Sequence, residues 1–273
     1  MVGSKAKWAD IEPGYEDPLS SAMTLREEDM PALFETALEA GNTALAFQPV
    51  AQCRDQKRIA YWQSQLRLYD ARGIALPVTR YKTWTAGTET ARRIDCAALE
   101  LGMQTLAEQR DIRLAVRMSA RSVGYRPWID CLMSWFKRVP NIGERLVLEV
   151  SESSAVHVPE LIQAFMRDRQ QQGVCFALDE FGSGNANLGS FRDSFFDIVK
   201  IHGAYIQDVH LKPDNRILAQ ALALIAHRFD MLTVATQVEN SEDRAWLLEA
   251  GIDYMQGNLI APPTLYPRWL PAG

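Results

Sequence analysis

The sequence predicts an α/β fold, a modified (β/α)8 barrel of the TIM type whose first strand pair is antiparallel. Eight short apolar runs, mostly separated by segments of helical length, follow one another along the 273-residue chain. This alternation is typical of a barrel of parallel strands surrounded by helices. Only the polar stretch 52–58 separates the first two runs. Because that stretch is too short for a helical crossover, the first two strands are predicted to form an antiparallel hairpin.

The individual elements follow from apolar runs and from the residues that end them. The predicted strands are Ala44–Val50, Ile59–Leu68, Ile112–Met118, Arg145–Val150, Val174–Leu178, Ile198–Ile201, Leu232–Ala235 and Asp253–Gln256. The predicted helices are 24–40, 90–109, 127–138, 159–172, 214–229 and 241–250. Thr24 and Glu27 form a capping box at the start of the first helix. Gly173 and Gly251 follow two later helices, where glycine commonly ends a helix.

The predicted barrel domain covers residues 24–267, with the helix 24–40 leading into it. Residues 1–23 are rich in Gly, Pro and Ser without apolar periodicity, and they are interpreted as a flexible N-terminal arm. Residues 268–273 are interpreted as a C-terminal tail. The helix 24–40 is either a cap over the bottom of the barrel or a connection to a partner or a further domain.

Composition excludes several classes of function. The net charge of −5 argues against a surface for nucleic-acid polymers or membranes, which would be basic. No run of about 18 apolar residues is present, so no membrane insertion is expected, and the polar N-terminus has no apolar signal core. The chain has four well-separated cysteines without a CxxC pair: Cys53, Cys96, Cys131 and Cys175. They are interpreted as reduced thiols of a cytoplasmic protein, not as a zinc site or disulfides.

Polar side chains gather at the carboxyl ends of the predicted strands, where barrel enzymes carry their chemistry. Asp179 and Glu180 come directly after an apolar strand and precede the Gly182–Gly184 loop. Carboxylates in this position suit divalent metal ions and phosphate chemistry, and the alternative is a surface turn with a capping acid. The other strand-end residues are Gln63–Arg67, Arg117, Glu149, Lys200, His202, Thr236–Glu239 and Gln256.

This set of strand ends resembles the EAL domain, the bacterial phosphodiesterase family that opens cyclic di-GMP. The resemblance covers about residues 44–265, and six segments occur in the family's order: Phe47–Val50 (FQPV), Leu148–Ser153 (LEVSES), Leu178–Gly184 (LDEFGSG), Val199–Ile201 (VKI), Gln237–Glu239 (QVE) and Gln256–Gly257 (QG). It implies a barrel in which two metal ions activate water for attack on a phosphate. It also implies a role in cyclic di-GMP signalling.

Four positions depart from the pattern that the resemblance implies. Gln63 stands where the family has a metal-binding glutamate, and an amide is a poor substitute for a carboxylate around Mg²⁺ or Mn²⁺. Arg117 replaces an asparagine ligand, and a guanidinium cannot coordinate a cation. His202 and Thr236 replace acids. We therefore expect a degenerate site that binds no metal or other cofactor and has no phosphodiesterase activity.

Other site positions keep their chemistry. Glu149, Asp179 and Lys200 are retained, and Glu180 stands in for an aspartate with a side chain one methylene longer. An arginine can neutralise a phosphate through two hydrogen bonds. A metal-independent receptor for cyclic di-GMP is therefore expected, with the ligand-binding set Gln48, Arg67, Arg117, Asp179, Lys200, Glu239 and Gln256.

Two alternatives remain open. Arg117 could instead form an internal ion pair with Glu149 or Asp179 and close the old metal site. The chain could then be a protein-interaction adaptor that no longer binds the nucleotide, with an unknown protein partner. The resemblance also implies that a homodimer could form through the end of the barrel that carries the Gly182–Gly184 loop.

Weaker candidates have simpler structural interpretations. His202 could be a general base, although a hydrogen-bonded structural role fits better because no catalytic partner is visible in the sequence. Six aromatic residues could include a platform for purine stacking or could simply pack in the core: Tyr81, Trp84, Tyr125, Trp128, Trp135 and Phe136.

Overall fold

The predicted barrel is confirmed by a computed structural model of the chain, which describes residues 30–77, 88–184 and 196–270. Within these residues eight strands close into one ring in the order β1 to β8. The strands are β1 Thr43–Gln52, β2 Ile59–Leu68, β3 Leu114–Met118, β4 Leu146–Ser151, β5 Cys175–Phe181, β6 Ile198–Ile201, β7 Leu232–Ala235 and β8 Tyr254–Met255. The helices are α1 Met30–Glu39, α2 Glu89–Glu108, α3 Arg126–Arg138, α4 Glu152–Ala155, α5 Pro159–Gln170, α6 Pro213–Arg228 and α7 Ser241–Glu249.

Strand directions agree with the prediction for the first pair. The strands from β2 to β8 pair in parallel, whereas β1 pairs antiparallel with β8, with Ala51 opposite Met255. β1 is therefore antiparallel to β2 as well, and the Gln52 amide donates to the Arg58 carbonyl at 3.1 Å across the short connection. The absence of a helical crossover at this one connection dictates the reversal.

The described residues fall into two compact units. The smaller one comprises residues 30–43, 68–77 and 88–91, and the larger one contains the remaining described residues. In the smaller unit α1 buries Met30, Phe34 and Ala37 along one face. The Thr90 hydroxyl donates to the Glu35 carboxylate there. The predicted arm 1–23, the capping pair Thr24 and Glu27, and the first turns of the predicted helix 24–40 lie outside the described residues.

The inside of the barrel is built in layers. One buried apolar layer takes a residue from each strand from β1 to β7, and Tyr254 of β8 packs against it: Val50, Tyr61, Ala115, Val147, Ala177, Ile198 and Val234. Side chains two residues apart in a strand point to the same face. The next layer toward the barrel mouth therefore consists of the residues two positions further: Gln48, Gln63, Arg117, Glu149, Asp179, Lys200, Thr236 and Gln256. Strand periodicity thus places most of the predicted site residues in one ring.

The predicted end of the fifth strand is wrong by three residues, the largest such difference among the strands. The sequence was interpreted as a strand that ends at Leu178 and releases Asp179 and Glu180 into a loop, but β5 continues to Phe181. The pairing register with β6 shifts between Leu178 and Phe181, and Glu180 has a φ of 62°. A bulge of this kind lets a strand continue past an extra residue while turning that residue's side chain.

Chain segments beyond the strands complete the larger unit. Phe47 pairs with Thr264 in an antiparallel bridge. Trp269, which sequence reasoning placed in the tail, packs edge-on against Phe47 and Trp62 with ring centroids 4.9 and 5.7 Å away. Among the described residues, helices are all too short or too polar to cross a membrane.

Candidate functional site

Glu149 belongs to the layer at the barrel mouth and is fully buried. Its Oε1 accepts a hydrogen bond from Lys200 Nζ at 3.0 Å, and its Oε2 accepts one from Gln63 Nε2 at 2.5 Å. Lys200 is equally buried, with 1% of its side chain exposed. A buried carboxylate is tolerated only when it is paired and hydrogen-bonded. Both oxygens of Glu149 are therefore committed to protein partners.

Glutamine side chains extend this arrangement around the mouth. Gln256 Nε2 donates to Gln63 Oε1 at 2.5 Å and to Gln48 Oε1 at 3.0 Å. Gln48 Nε2 in turn donates to the carbonyl of Ala261 at 3.2 Å. An amide carries both a donor and an acceptor, so a chain of amides can satisfy itself without a bound cation. The amides thus form a closed polar network at this side of the mouth.

Arg117 forms a second charged group on the outer side of the layer. Its Nη2 lies 3.1 Å from Glu180 Oε1 and 3.4 Å from Asp179 Oδ2. Lys200 Nζ is 3.8 Å from the other oxygen of Asp179. Asp179 therefore lies between two cations. The ion pair that sequence reasoning offered as an alternative for Arg117 is present with Asp179, while Glu149 pairs with Lys200.

The bulge in β5 brings Glu180 to Arg117. Glu180 adopts the left-handed region, which is uncommon for a residue with a side chain. Its amide donates to the side chain of Asp179 at 3.0 Å. A regular strand would point residues 179 and 180 to opposite faces. Because the bulge breaks this alternation, two consecutive carboxylates contact the same guanidinium.

Glu152 anchors the chain that follows the bulge, a role that sequence reasoning missed. Its Oε2 accepts hydrogen bonds from the amides of Gly182 at 2.6 Å and Ser183 at 3.2 Å. The Tyr205 hydroxyl donates to the Gly182 carbonyl at 2.8 Å. Gly182 has a φ of 89°, and a Cβ there would lie 2.7 Å from Leu222. The only signal in the sequence was the position of Glu152 in the LEVSES segment.

The remaining predicted site residues form hydrogen bonds with nearby residues of the same chain. Arg67 donates to Gln65 Oε1 at 3.0 Å, and both side chains lie above Gln63 on β2. The Thr236 hydroxyl donates to the Ile201 carbonyl at 2.8 Å. His202 Nδ1 accepts from the Ala204 amide at 3.3 Å and caps a short 3-10 turn.

Glu239 lies at the rim of the mouth, where its carboxylate accepts a hydrogen bond from Asn258 Nδ2 at 2.9 Å. Below the charged layer, the buried hydroxyl of Tyr61 has no hydrogen-bond partner among the described residues. Burial, together with the negative charges of Glu149 and Asp179, raises the pKa of this hydroxyl well above its ordinary value. Tyr61 therefore stays neutral and belongs to the packing layer.

Two of the aromatic candidates for base stacking, Trp128 and Trp135, pack against other side chains. Trp128 is fully buried against Phe165 at a centroid distance of 5.8 Å. The Trp135 indole donates to Glu100 at 2.9 Å, and Arg138 lies 4.0 Å above its ring. Tyr81 and Trp84 lie outside the described residues.

The family model described as the EAL domain matches residues 33–263 of the chain. The chain belongs to the EAL domain family. The cyclic di-GMP phosphodiesterase PdeF of Escherichia coli K12 is 30% identical over 174 residues, which are 62% of this chain and 23% of PdeF. The probable cyclic di-GMP phosphodiesterase PdeA of the same organism is 24% identical over 251 residues, 90% of this chain and 34% of PdeA. The EAL domain described here thus spans between 23% and 34% of the length of these relatives.

Solved structures share the fold. The EAL domain of FimX from Pseudomonas aeruginosa, bound to cyclic di-GMP, has a TM-score of 0.77 and 24% identity, covering 87% of this chain and 97% of that domain. The EAL domain of FimX from Xanthomonas citri, also in complex with cyclic di-GMP, has a TM-score of 0.77 and 23% identity, covering 91% of this chain and 99% of that domain. At these identities the likeness establishes the barrel fold of this EAL domain.

The donor set of this EAL domain does not fit the two metal ions that the family implies. A metal at Glu149 would have to displace Lys200 and Gln63, and a metal at Asp179 would share that carboxylate with the permanent charge of Arg117. Within the described residues, no group of three His, Cys, Asp or Glu side chains could hold a metal ion. Hard divalent cations need several negatively charged oxygen ligands. Here Lys200 and Gln63 already hold the two oxygens of Glu149, and Arg117 lies 3.4 Å from Asp179.

Proposed function

We propose that this EAL domain is a catalytically inactive receptor that binds cyclic di-GMP without metal ions. The observation that carries the proposal is the position of the Arg117 guanidinium, 3.1 Å from Glu180 and 3.4 Å from Asp179. These carboxylates are the oxygen donors that a divalent ion would need. A guanidinium among them supplies positive charge but no coordination site.

The loss of hydrolysis follows from the requirements of metal-assisted phosphate chemistry. Two ions normally stabilise the attacking and leaving oxygens of an in-line displacement. Here Lys200 and Gln63 hold both oxygens of Glu149, and Arg117 and Lys200 flank Asp179. The relatives PdeF and PdeA carry the name phosphodiesterase. The proposed receptor differs from them because it does not hydrolyse cyclic di-GMP, although it recognises the same dinucleotide.

Ligand binding follows from the cations that remain at the mouth. Arg117 keeps 29% of its side chain exposed, so it can turn toward a phosphate in solution while its base stays in the layer. Arg67 is half-buried on the same inner face. Arginine forms paired hydrogen bonds with phosphate oxygens, and cyclic di-GMP carries two phosphates. The binding of this dinucleotide by the FimX EAL domains supports the same ligand for this barrel.

A second candidate is an adaptor that no longer binds the nucleotide. The specific observation in its favour is that two carboxylates already neutralise Arg117. A phosphate would have to replace at least one of these carboxylates. The free energy needed to break the existing ion pair would then reduce the affinity for the nucleotide. The adaptor would use the outside of the barrel to contact a protein partner.

Calorimetric titration with cyclic di-GMP in EDTA separates the two candidates. The receptor predicts saturable binding, and Arg67→Ala should weaken it at least about tenfold because a charge-assisted phosphate contact is lost. Arg126→Ala is the matched control, since Arg126 is exposed on α3 and pairs there with Asp130 at 2.9 Å. No saturable heat in the wild type would support the adaptor. Steady release of the linear dinucleotide with Mg²⁺ or Mn²⁺ would contradict the inactive assignment.

A further inference from the structure

Two glutamines at the barrel mouth are linked to one aromatic contact on the outside of the barrel. The residues that precede Gln48 and Gln63 are Phe47 and Trp62. Since successive residues of a strand point to opposite faces, these two rings lie on the outside, behind the two amides. Trp269 packs edge-on against both rings, with centroid distances of 4.9 and 5.7 Å. A single side chain therefore contacts β1 and β2 at the positions next to their mouth glutamines.

The chain between the mouth and Trp269 returns to β1 at two further points. We call residues 256–269 the strap, and the mouth network is the set of amides Gln48, Gln63 and Gln256. Gln48 Nε2 donates to the carbonyl of Ala261 in the strap at 3.2 Å. Phe47 and Thr264 exchange two backbone hydrogen bonds, of 2.8 and 3.0 Å. The strap is thus bonded to the mouth network at one end and packed behind it at the other.

The Trp269 anchor consists of ring packing without a hydrogen bond. Its indole Nε1 is buried and has no hydrogen-bond partner among the described residues. Edge-on contacts between aromatic rings stabilise the docked position, whereas a buried N–H without a partner destabilises it. Release of Trp269 would return this N–H to water. The docked and released positions are therefore closer in free energy than the packing of the rings alone implies, which suits a contact that opens and closes.

We propose that Trp269 is a positioning residue for the barrel mouth. Its docking against Phe47 and Trp62 fixes the strands that carry Gln48 and Gln63, so that docking of the strap and binding of a ligand at the mouth favour each other. A binding site that is already ordered loses less entropy when its ligand binds. The ligand in this proposal rests on the proposed receptor function, but the link between the strap and the mouth network does not require a ligand.

Calorimetry with cyclic di-GMP in EDTA tests the effect of the strap on the mouth. Trp269→Ala should raise the dissociation constant about tenfold, within the range usual for two coupled sites. Trp269→Phe should recover most of the affinity, because it keeps a ring and removes the unsatisfied N–H. Tyr266→Ala is the matched control in the same strap, since 82% of Tyr266 is exposed. Circular dichroism checks that each variant is folded. Equal affinities of Trp269→Ala and the wild type would overturn the proposal.

Tryptic cleavage without ligand tests the effect of the mouth on the strap. Arg268 is exposed and precedes Trp269, so cleavage there reports the released strap and yields the peptide 269–273. Gln48→Ala should speed this cleavage about fivefold, because the strap loses a hydrogen bond and cleavage follows the population of the open form. Gln104→Ala, at an exposed glutamine of α2, should leave the rate unchanged.

The ligand itself completes the comparison, because coupling between two sites is reciprocal. Saturating cyclic di-GMP should slow cleavage after Arg268 in the wild type. If the wild type bound no cyclic di-GMP, the receptor function would fail, while the cleavage rates without ligand would still decide the role of the strap. An unchanged rate in Gln48→Ala would overturn the link between the strap and the mouth network.

Discussion

The mouth of the barrel contains two charged groups that differ in their exposure. The inner group, Glu149 with Lys200, is buried to 1% exposure or less and is closed by a 3.0 Å hydrogen bond. The outer group joins Arg117 to Asp179 and Glu180, and 29% of the Arg117 side chain remains accessible. Burial makes a broken ion pair costly, whereas exposed pairs exchange partners with little loss. The comparison teaches that the inner group is costly to break, whereas the outer group can exchange its partners at little cost.

The largest expected effect is on the inner group. Lys200→Met leaves the Glu149 carboxylate buried without its cation, and we expect the free energy of unfolding to fall by about 3–5 kcal/mol. Urea denaturation followed by circular dichroism measures the change. The double variant K200M/E149Q should recover much of the loss, since the uncompensated charge is then gone. If Lys200→Met alone were as stable as the wild type, the inner group would not be costly to break.

A substitution in the outer group should weaken ligand binding but should change the free energy of unfolding only slightly. Arg117→Ala removes a partly exposed pair, so the free energy of unfolding should change by about 1 kcal/mol or less. The same variant should weaken cyclic di-GMP binding at least about tenfold if Arg117 contacts a phosphate. Urea denaturation and calorimetry on one preparation give both numbers. Unchanged affinity alongside unchanged stability would favour the adaptor.

A carboxylate outside these two groups, Asp95, shows what happens when burial is not matched by an adjacent cation. Asp95 Oδ2 accepts hydrogen bonds from the Ser122 hydroxyl at 2.6 Å and the Ser119 amide at 2.8 Å. Burial nevertheless raises the pKa of Asp95 from 3.8 to about 6. The folded chain therefore keeps this proton to higher pH than the unfolded chain, and stability should fall as the pH rises from about 4 to about 6.

Asp95→Asn provides the matched comparison for this titration. The variant cannot lose a proton at this position, so the part of the stability change contributed by Asp95 between these pH values should disappear. Urea midpoints of both proteins at several pH values measure the difference. Parallel pH profiles for wild type and variant would show that Asp95 titrates at its ordinary value.

The smallest expected effect concerns the layer beneath the charges. Tyr61→Phe removes a buried hydroxyl that has no partner among the described residues. Since an unsatisfied buried polar group destabilises the fold, the variant should be more stable by about 1 kcal/mol. Thermal unfolding checks this. A clear loss of stability would indicate that the hydroxyl is hydrogen-bonded in solution.

Much of the architecture could be predicted because strand periodicity is strong in this chain. The bounds of β2, β6 and β7 agree with the prediction to the residue. Strand ends also indicated which polar residues would meet, since alternate residues of parallel strands point into one layer. The outer pair of Arg117 with Asp179 was among the alternatives that the sequence offered.

Other features could not be predicted because they depend on local geometry. Glu180 adopts a left-handed conformation although it is not a glycine, so the sequence gives no signal for it. The bulge that brings two acids to one arginine was therefore missed. Three acids and two cations at neighbouring strand ends also allow several pairings. The structure places Lys200 Nζ 3.0 Å from Glu149 and 3.8 Å from Asp179, a choice that the sequence leaves open.

The layering of the barrel interior separates the fold from its chemistry. In each strand one outward residue lies between the apolar residue that packs the core and the polar residue that faces the mouth, as Val147, Leu148 and Glu149 do in β4. A substitution in the partly exposed outer group, where 29% of the Arg117 side chain is accessible, can therefore leave the packing layer below unchanged. Such a scaffold can change the chemistry of that part of the mouth by substitutions that keep a folded protein.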